Sequence, residues 1–272
     1  LIYAVLSQEL IVTLYLAALL PALIAIVLHM GTIAAYTRWR PGEAPTGPRA
    51  TAAERWAALR ASGPVLAVAA TVIGGMAAGV FTATESAAVG AVMAFLCAWR
   101  RCTLNRAALR EAFLATARTS AMVYVLIIGA SLFGYFAAVT QAPQALVEAV
   151  QASGIPVWAA VLALMAMFIV AGAVFDEVAA MVVTMPFVLP LVKSWGFDPV
   201  WWGIVNVVVI ELGMLIPPLG MNVFVVKGVA PQIPLTAIYR GVAPYVASNF
   251  VRLAVLLSFP ALALWLPQAL KG

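Results

Sequence analysis

The sequence predicts an all-α protein that crosses a membrane several times. Hydrophobic residues make up 65% of the 272 residues, charged residues make up 9%, and the mean hydropathy is +1.07. A soluble domain averages about 45–50% apolar and about 25% charged residues. At about 20 residues per spanning helix, the chain has room for roughly six to nine spans. The chain is therefore expected to be embedded in a lipid bilayer.

The basic residues are unevenly placed. The net charge is +5, and ten of the fifteen Lys and Arg residues fall between Arg38 and Arg118, in two clusters separated by an apolar stretch. The positive-inside rule places both clusters on the cytoplasmic side. They lack interleaved stacking aromatics, so nucleic acid is not an expected partner. Two cysteines and one histidine provide neither a disulfide framework nor a zinc site.

The first half of the chain predicts helices joined by a basic loop. A spanning helix is expected over residues 10–36, with a possible kink at Pro21. The loop over residues 37–62 contains an interfacial helix at Thr51–Ala61. Residues 64–99 are apolar but interrupted by glycines and by Thr82-Ala83-Thr84-Glu85, so they form either one long helix or two short arms. Residues 107–138 are expected to form an amphipathic segment that continues into a long apolar helix.

The second half predicts a hairpin and then a broken helix. A connection over residues 143–154 leads to an arm over 156–175, an acidic tip at Asp176 and Glu177, and a second arm over 178–192. After a turn, residues 200–215 and 219–229 flank an interruption, and residues 235–266 form the final span. Trp201, Trp202 and Trp265 are placed as interfacial anchors would be.

The interruption is the most informative feature. It reads Glu211-Leu212-Gly213-Met214-Leu215-Ile216-Pro217-Pro218-Leu219-Gly220-Met221-Asn222. Two adjacent prolines remove two backbone donors, and the flanking glycines loosen the backbone. Lipid cannot satisfy the freed polar groups, so the break must be buried in protein or line a polar cavity. Broken helices of this kind form the substrate and ion sites of many secondary transporters.

Acidic residues inside apolar sequence are the other candidates for chemistry. Glu85, the Asp176-Glu177 pair and Glu211 lie in such segments, where a charge costs about 2.5–3.5 kcal/mol at membrane depth. The alternative for each is an interfacial helix end. An acidic hairpin tip opposite an unwound segment offers helix N-termini to an anion and carbonyl oxygens to a sodium ion. Asn222 can donate and accept just beyond the break.

An internal echo suggests a repeat. A shift of 223 residues aligns Thr13 with Thr236 and Pro21 with Pro244, and both windows lead into a spanning helix. If the repeat is real, residues 1–9 are the tail of an earlier repeat, whose own broken helix is expected upstream of Leu1.

Several motifs resemble a known family. They are Gly79-Val80-Phe81-Thr82-Ala83-Thr84-Glu85-Ser86-Ala87-Ala88-Val89, Gly129-Ala130-Ser131-Leu132-Phe133-Gly134-Tyr135, Phe175-Asp176-Glu177 followed by Met185-Pro186-Phe187-Val188-Leu189-Pro190, Gly213 to Asn222, and Lys227-Gly228-Val229-Ala230-Pro231. In this order they resemble the large membrane subunit of tripartite ATP-independent periplasmic (TRAP) transporters, over its C-terminal half only.

The resemblance implies an elevator-type fold with two inverted repeats, of which this chain holds the second. Residues 1–138 would be scaffold helices and connecting arms. Residues 139–232 would be a transport-domain repeat with a hairpin (156–192) and a broken helix (200–229), and residues 233–272 a C-terminal spanning helix. The expected protein is a multi-pass subunit in the bacterial cytoplasmic membrane.

The resemblance also implies a function. The protein would import organic acids of the carboxylate class, with sodium as the coupling ion and with no other cofactor. Its partners would be a periplasmic substrate-binding protein and a small four-helix membrane subunit. The chain contains no G-x-x-x-x-G-K-[ST] sequence, in agreement with transport that needs no ATP site.

Site residues follow from the matched motifs. The cation is expected at Asp176 and at the backbone of Gly213, Ile216, Pro217, Pro218 and Gly220, and the substrate at Asn222 and Glu177. Thr82, Thr84 and Glu85 are expected to form a structural motif. Two residues depart from the family pattern: Ile216 stands where many members have Thr, and Glu177 where Pro is common.

Two other function classes were weighed. An intramembrane hydrolase would use Asp176 with Glu177 or Glu211 as an acid pair, but adjacent residues on a helix point about 100° apart. An inactive truncated or structural membrane protein is the other alternative, because half of a two-repeat carrier cannot form a site that both repeats line. An enzyme is not expected.

Overall fold

The computed structural model describes residues 2–42, 49–100, 104–217 and 220–271. Of residue 271 it describes the backbone only. In this part of the chain the regular structure is helical. The helices are α1 (Ile2–Ser7), α2 (Ile11–Trp39), α3 (Ala52–Ala77), α4 (Ala83–Arg100), α5 (Arg106–Val139), α6 (Ala142–Ala152), α7 (Val157–Val174), α8 (Glu177–Ser194), α9 (Pro199–Gly213), α10 (Met221–Val229), α11 (Leu235–Ser258) and α12 (Ala261–Lys271).

Six of these helices are long and apolar enough to cross a membrane: α2, α3, α5, α7, α8 and α11. Helices α9 and α12 are apolar but shorter. The described part of the chain therefore confirms the prediction of an all-α protein with several membrane spans.

The chain divides into two compact units. The first comprises Leu1–Pro41 and Val125–Gly272, and the second comprises Gly42–Tyr124. The predicted division into scaffold and transport parts stays a prediction.

Helix α9 forms the centre of the first unit. It is apolar on nearly every side, as a helix enclosed by others must be, and α2, α7, α8, α11 and α12 all pack against it. Trp201 and Trp202 are fully buried there, and the Trp201 indole donates to the Leu256 carbonyl at 3.1 Å. The expectation that they are interfacial anchors is wrong, because ring packing with Phe168 and Phe197 encloses them. Trp265 is exposed, as expected.

In the second unit, residues 64–99 belong to two helices rather than to one long helix. Helix α3 ends at Ala77, α4 begins at Ala83, and the two pack together. The segment Thr51–Ala61 is helical, but it runs on without interruption into α3 rather than forming a separate interfacial helix. A capping box at Thr51 and Glu54 fixes the start of the helix.

Two connections differ from the sequence prediction. Residues 143–154 are mostly helical, because Pro143 lies in the first turn of α6, where proline costs no hydrogen bond. The final span stops at Ser258, and a second helix starts at Ala261. Pro260 lacks an amide and pushes Phe259 out of the helical region, to φ −131° and ψ 74°.

Candidate functional site

The predicted interruption is present between α9 and α10. After Gly213 the chain tightens into short turns, with the amides of Leu215 and Ile216 donating to the carbonyls of Leu212 and Gly213 at 3.1 and 3.2 Å. The Asn222 amide reaches back across the gap to the Met214 carbonyl at 3.3 Å. A hydrogen bond thus joins the two ends of the break.

The predicted break residues occupy different places in this structure. Ile216 is half-buried, and Pro217 is exposed, as is Asn222 in the first turn of α10. Gly220 is buried, and its φ of 49° lies in the left-handed region that favours glycine. Pro218, also predicted to be part of the cation site, lies outside the described residues.

Three oxygen atoms from described residues lie close to Gly220. A methyl group placed on this residue would lie 3.2 Å from the Ile216 carbonyl oxygen, 3.2 Å from the Tyr239 hydroxyl and 3.5 Å from the Met214 carbonyl oxygen. Tyr239 comes from the first turns of α11, and the sequence analysis did not single it out. Its position depends on how α11 packs beside the break, for which the sequence carries no local signal.

Helix α9 reaches the break in direct backbone contact with α7. A methyl group on Gly213 would collide with the Ile169 carbonyl oxygen and with the backbone of Gly172. A methyl group on Gly172 would in turn lie 2.6 Å from the Ile210 carbonyl oxygen. Small residues at such a contact let two membrane helices approach closely. Gly213, predicted to bind a cation through its backbone, is therefore also a packing residue.

The tip of the hairpin lies near the break. Asp176 caps α8 by accepting the Val178 amide at 3.0 Å through Oδ1. It lies shortly after Gly172, which touches Gly213, and the chain leaves α7 in an extended conformation at Phe175 between them. The structure thus brings the predicted cation residues Asp176 and Gly213 to the same region of the first unit.

Glu177 borders a cavity on one side of the hairpin tip. The cavity has a volume of about 210 Å³, and Tyr3 of α1 and Val207 and Ile210 of α9 also line it. The cavity is smaller than the about 300–1,000 Å³ that small-molecule sites usually have.

An ion pair between a mostly buried arginine and a partly exposed glutamate joins α9 to α11 just before the break. Glu211 Oε2 lies 3.6 Å from Nη1 of Arg252, whose side chain is 10% exposed and also donates to the Asn249 amide oxygen at 3.4 Å. Arg252 also lines a cavity of about 350 Å³ with residues of α1, α2 and α9. The sequence analysis missed Arg252, although an arginine deep within an apolar helix is a signal that could have found it.

The roles of the acids argue against a hydrolase. Glu211 pairs with a guanidinium and Asp176 caps a helix, whereas the acid pair of a hydrolase shares a proton.

A buried amide in α9 was also overlooked. Asn206 is 1% exposed, and neither atom of its side-chain amide has a hydrogen-bond partner among the described residues. It lies on the same face of α9 as Trp202 and Gly213 by helical spacing. A buried polar group without a partner is costly, which makes this position unusual for a packing residue.

The motif at Thr82, Thr84 and Glu85 lies in the second unit and starts α4. The Thr82 amide and hydroxyl donate to Glu85 Oε2 at 2.8 and 2.9 Å, and the Glu85 amide donates to the Thr82 hydroxyl at 3.3 Å. These bonds form a capping box and lower the pKa of the exposed Glu85 carboxyl, chiefly through the Thr82 amide. Glu85 therefore acts as a helix cap here, and Thr84 is exposed beside it.

No group of three or more His, Cys, Asp or Glu residues that could hold a metal occurs within the described ranges. A cation at the break would instead meet backbone carbonyls and hydroxyls, the oxygen donors that alkali cations find at unwound helices.

Comparison with known families identifies the chain. Residues 1–262 match the family described as "Tripartite ATP-independent periplasmic transporter, DctM component". The chain belongs to this TRAP permease family. The family is one of transporter components, not of enzymes, and this chain is a multi-pass membrane member of it.

Individual TRAP permeases are similar along the whole chain. The sialic acid TRAP transporter large permease protein SiaM of Vibrio cholerae is 30% identical over 272 residues, which is 100% of this chain and 63% of the relative. The C4-dicarboxylate large permease protein DctM of Rhodobacter capsulatus is 31% identical over 94% of this chain and 58% of the relative. The ectoine large permease protein TeaC of Halomonas elongata is 28% identical over 97% of this chain and 62% of the relative. The chain thus spans less than two thirds of the length of these relatives.

Proposed function

We propose that this TRAP permease chain is part of a secondary transporter that imports organic acids across the bacterial cytoplasmic membrane with sodium as the coupling ion. The observation that carries the proposal is the break between Gly213 and Met221, which lies beside the tip of a helical hairpin in a membrane protein. Half-helix ends that meet in this way offer amides to anions and carbonyls to cations.

A carboxylate is the proposed part of the substrate that binds. The relatives are named for sialic acid, C4-dicarboxylates and ectoine, and each of these compounds carries a carboxylate. Helices α8 and α10 begin at the hairpin tip and at the break, and the positive ends of their dipoles favour an anion there. Asn222 supplies an amide side chain, and Glu177 accepts hydrogen bonds from substrate hydroxyl or amino groups.

Sodium is the proposed ion at the negative end of α9. The carbonyls that follow Gly213 are released from helical pairing by the break, and Asp176 adds a carboxylate from the hairpin tip. Oδ2 of Asp176 accepts no hydrogen bond from any residue that the structure describes. A hard oxygen donor therefore remains at the tip after the cap is formed.

The proposed partners are a periplasmic substrate-binding protein, which delivers the acid, and a small four-helix membrane subunit. The description of the family as periplasmic and tripartite supports both.

Uptake into proteoliposomes tests this proposal. The purified carrier with its small subunit is given a loaded binding protein outside, under an inward sodium gradient or a matched potassium gradient. We expect accumulation only with sodium, and a loss of at least about tenfold on D176N. E148Q, which alters an exposed acid on α6, is the matched control and should leave uptake unchanged. Equal uptake in sodium and potassium would refute the coupling.

A further inference from the structure

We propose that the cavity between α1, α2, α9 and α11 binds an anionic phospholipid, with the phosphate of the lipid on Arg252 and part of an acyl chain against the apolar wall. This inference goes beyond the proposed function, because it depends neither on the coupling ion nor on the acid that is imported.

The size and the lining of the cavity suit an amphipathic anion. Its volume of about 350 Å³ lies within the range of about 300–1,000 Å³ that is usual for ligand sites. Among the described residues that line it, Arg252 is the only charged one. The others are mostly apolar: Leu14, Ala18, Pro21, Ala22, Gly203, Ile204, Val207 and Val208, together with Tyr3 and Tyr15.

The guanidinium of Arg252 has donors to spare. Its Nη1 lies 3.6 Å from Oε2 of Glu211, farther than the about 2.7–2.9 Å of a direct charge-assisted hydrogen bond. Its Nε is buried and has no hydrogen-bond partner among the described residues. A guanidinium carries five N–H donors in a planar arrangement that suits phosphate. An arginine placed in this way inside a membrane protein is expected to have a further anionic partner.

The cavity lies towards one end of the helices that enclose it. Leu14 belongs to the first two turns of α2, Gly203 belongs to the first two turns of α9, and Arg252 belongs to the last two turns of α11. Two turns measure about 11 Å, and arginine side chains extend towards the headgroups from such a depth. The guanidinium is therefore within reach of a phosphate at the membrane surface.

The apolar wall favours a lipid over a water-soluble acid. A small soluble acid with several hydroxyl or amino groups would leave them unpaired against Ile204, Val207 and Val208, which is costly. A phospholipid instead places its acyl chain there and its single phosphate at the guanidinium. Basic pockets between membrane helices bind anionic headgroups in this manner.

Thermal unfolding of the purified, delipidated carrier tests the site without measuring transport. Dioctanoyl phosphatidylglycerol or dioctanoyl phosphatidylcholine is titrated, and the lipid concentration that gives half of the stabilisation is measured. We expect phosphatidylglycerol to act at a concentration about tenfold lower, and R252Q to remove this difference. R240Q, which makes the same change at an exposed arginine of α11, is the matched control and should behave as the native carrier.

Two further variants separate binding from general damage to the fold. E211Q removes the carboxylate that competes for Arg252, so it should lower the half-stabilising concentration of phosphatidylglycerol, whereas mere destabilisation would not. A18L narrows the cavity with the charge intact and should raise that concentration by about tenfold. A34L, at an exposed alanine of α2 outside the cavity lining, is its control.

Equal stabilisation of the native carrier by the two lipids would overturn the choice of an anionic phospholipid. If R252Q does not fold, A18L decides the test. An unchanged half-stabilising concentration of phosphatidylglycerol in A18L would place the lipid elsewhere and overturn the assignment of this cavity. Each of these results leaves the proposed sodium-driven uptake intact, since uptake is measured separately.

Discussion

At the scale of single residues, two glycines at the break are held by different neighbours. Gly213 ends α9 and touches the backbone of α7, while Gly220 starts α10 beside three oxygens. At Gly213 a side chain would collide with α7, whereas at Gly220 a side chain would also be strained by the φ of 49°. Substitutions at these two positions should therefore act through different physical causes.

We expect G213A to destabilise the protein, because its methyl group would collide with carbonyl oxygen and backbone atoms of α7 that cannot move independently. Overpacking of this kind costs about 1–3 kcal/mol. G241A is the matched control: Gly241 lies in α11 with open space around it, and alanine there should be neutral or stabilising by about 0.5–1 kcal/mol. Thermal unfolding of the purified carrier measures both, and equal melting temperatures for the two variants would contradict the close contact.

The sequence could predict the break but not everything that surrounds it. Proline and glycine act on their own backbone, so Pro217 and its neighbours indicate an interruption without knowledge of the fold. Tyr239 and Arg252 acquire their places only when α11 packs beside α9, and no local pattern encodes that contact. For Trp201 and Trp202 a local signal exists but misleads, because a tryptophan side chain suits both a membrane interface and a buried core.

At the scale of helices, proline is the least reliable sequence signal for where a helix ends. Pro21, Pro186, Pro190 and Pro244 all lie inside helices, whereas Pro260 separates two. The local chemistry is the same in each case, and neighbouring helices decide whether the freed carbonyl is satisfied and the helix continues. The final span was therefore predicted as one helix, and the structure divides it.

Glu211 and Arg252 should stabilise the folded protein through their mutual interaction rather than through two independent effects. E211Q leaves a mostly buried guanidinium without its counter-charge, and R252Q removes the partner of a carboxylate whose side chain is 45% exposed. Allowing for solvent screening of Glu211, we expect a coupling energy of about 1–2 kcal/mol from a double-mutant cycle of thermal stabilities. The double variant should recover much of the stability lost by E211Q. R240Q, at an exposed arginine of α11, serves as control, and purely additive effects of E211Q and R252Q would show that the pair is not coupled.

At the scale of the whole molecule, the helices and the basic residues together specify a path through the membrane. Basic residues end α2 and α4 and start α5, and the positive-inside rule predicts that these points lie on the cytoplasmic side. With one crossing by α5, the chain would reach the periplasmic side at α6, and the hairpin of α7 and α8 would return it to the same side. Helices α9 and α10 would then cross together, so that Lys227 and Arg240 would flank a cytoplasmic turn before α11.

This path predicts opposite sides for two exposed positions, Ser153 before α7 and Gln232 before α11. With Cys97 and Cys102 replaced by alanine, S153C should react with a membrane-impermeant maleimide in intact cells, and Q232C only after the membrane is opened. The reason is that the hairpin contributes no net crossing while the broken helix contributes one. Labelling of both positions in intact cells would mean that α9 and α10 turn back at the break instead of crossing, and the break would then lie at a membrane surface rather than at the depth that a carrier site requires.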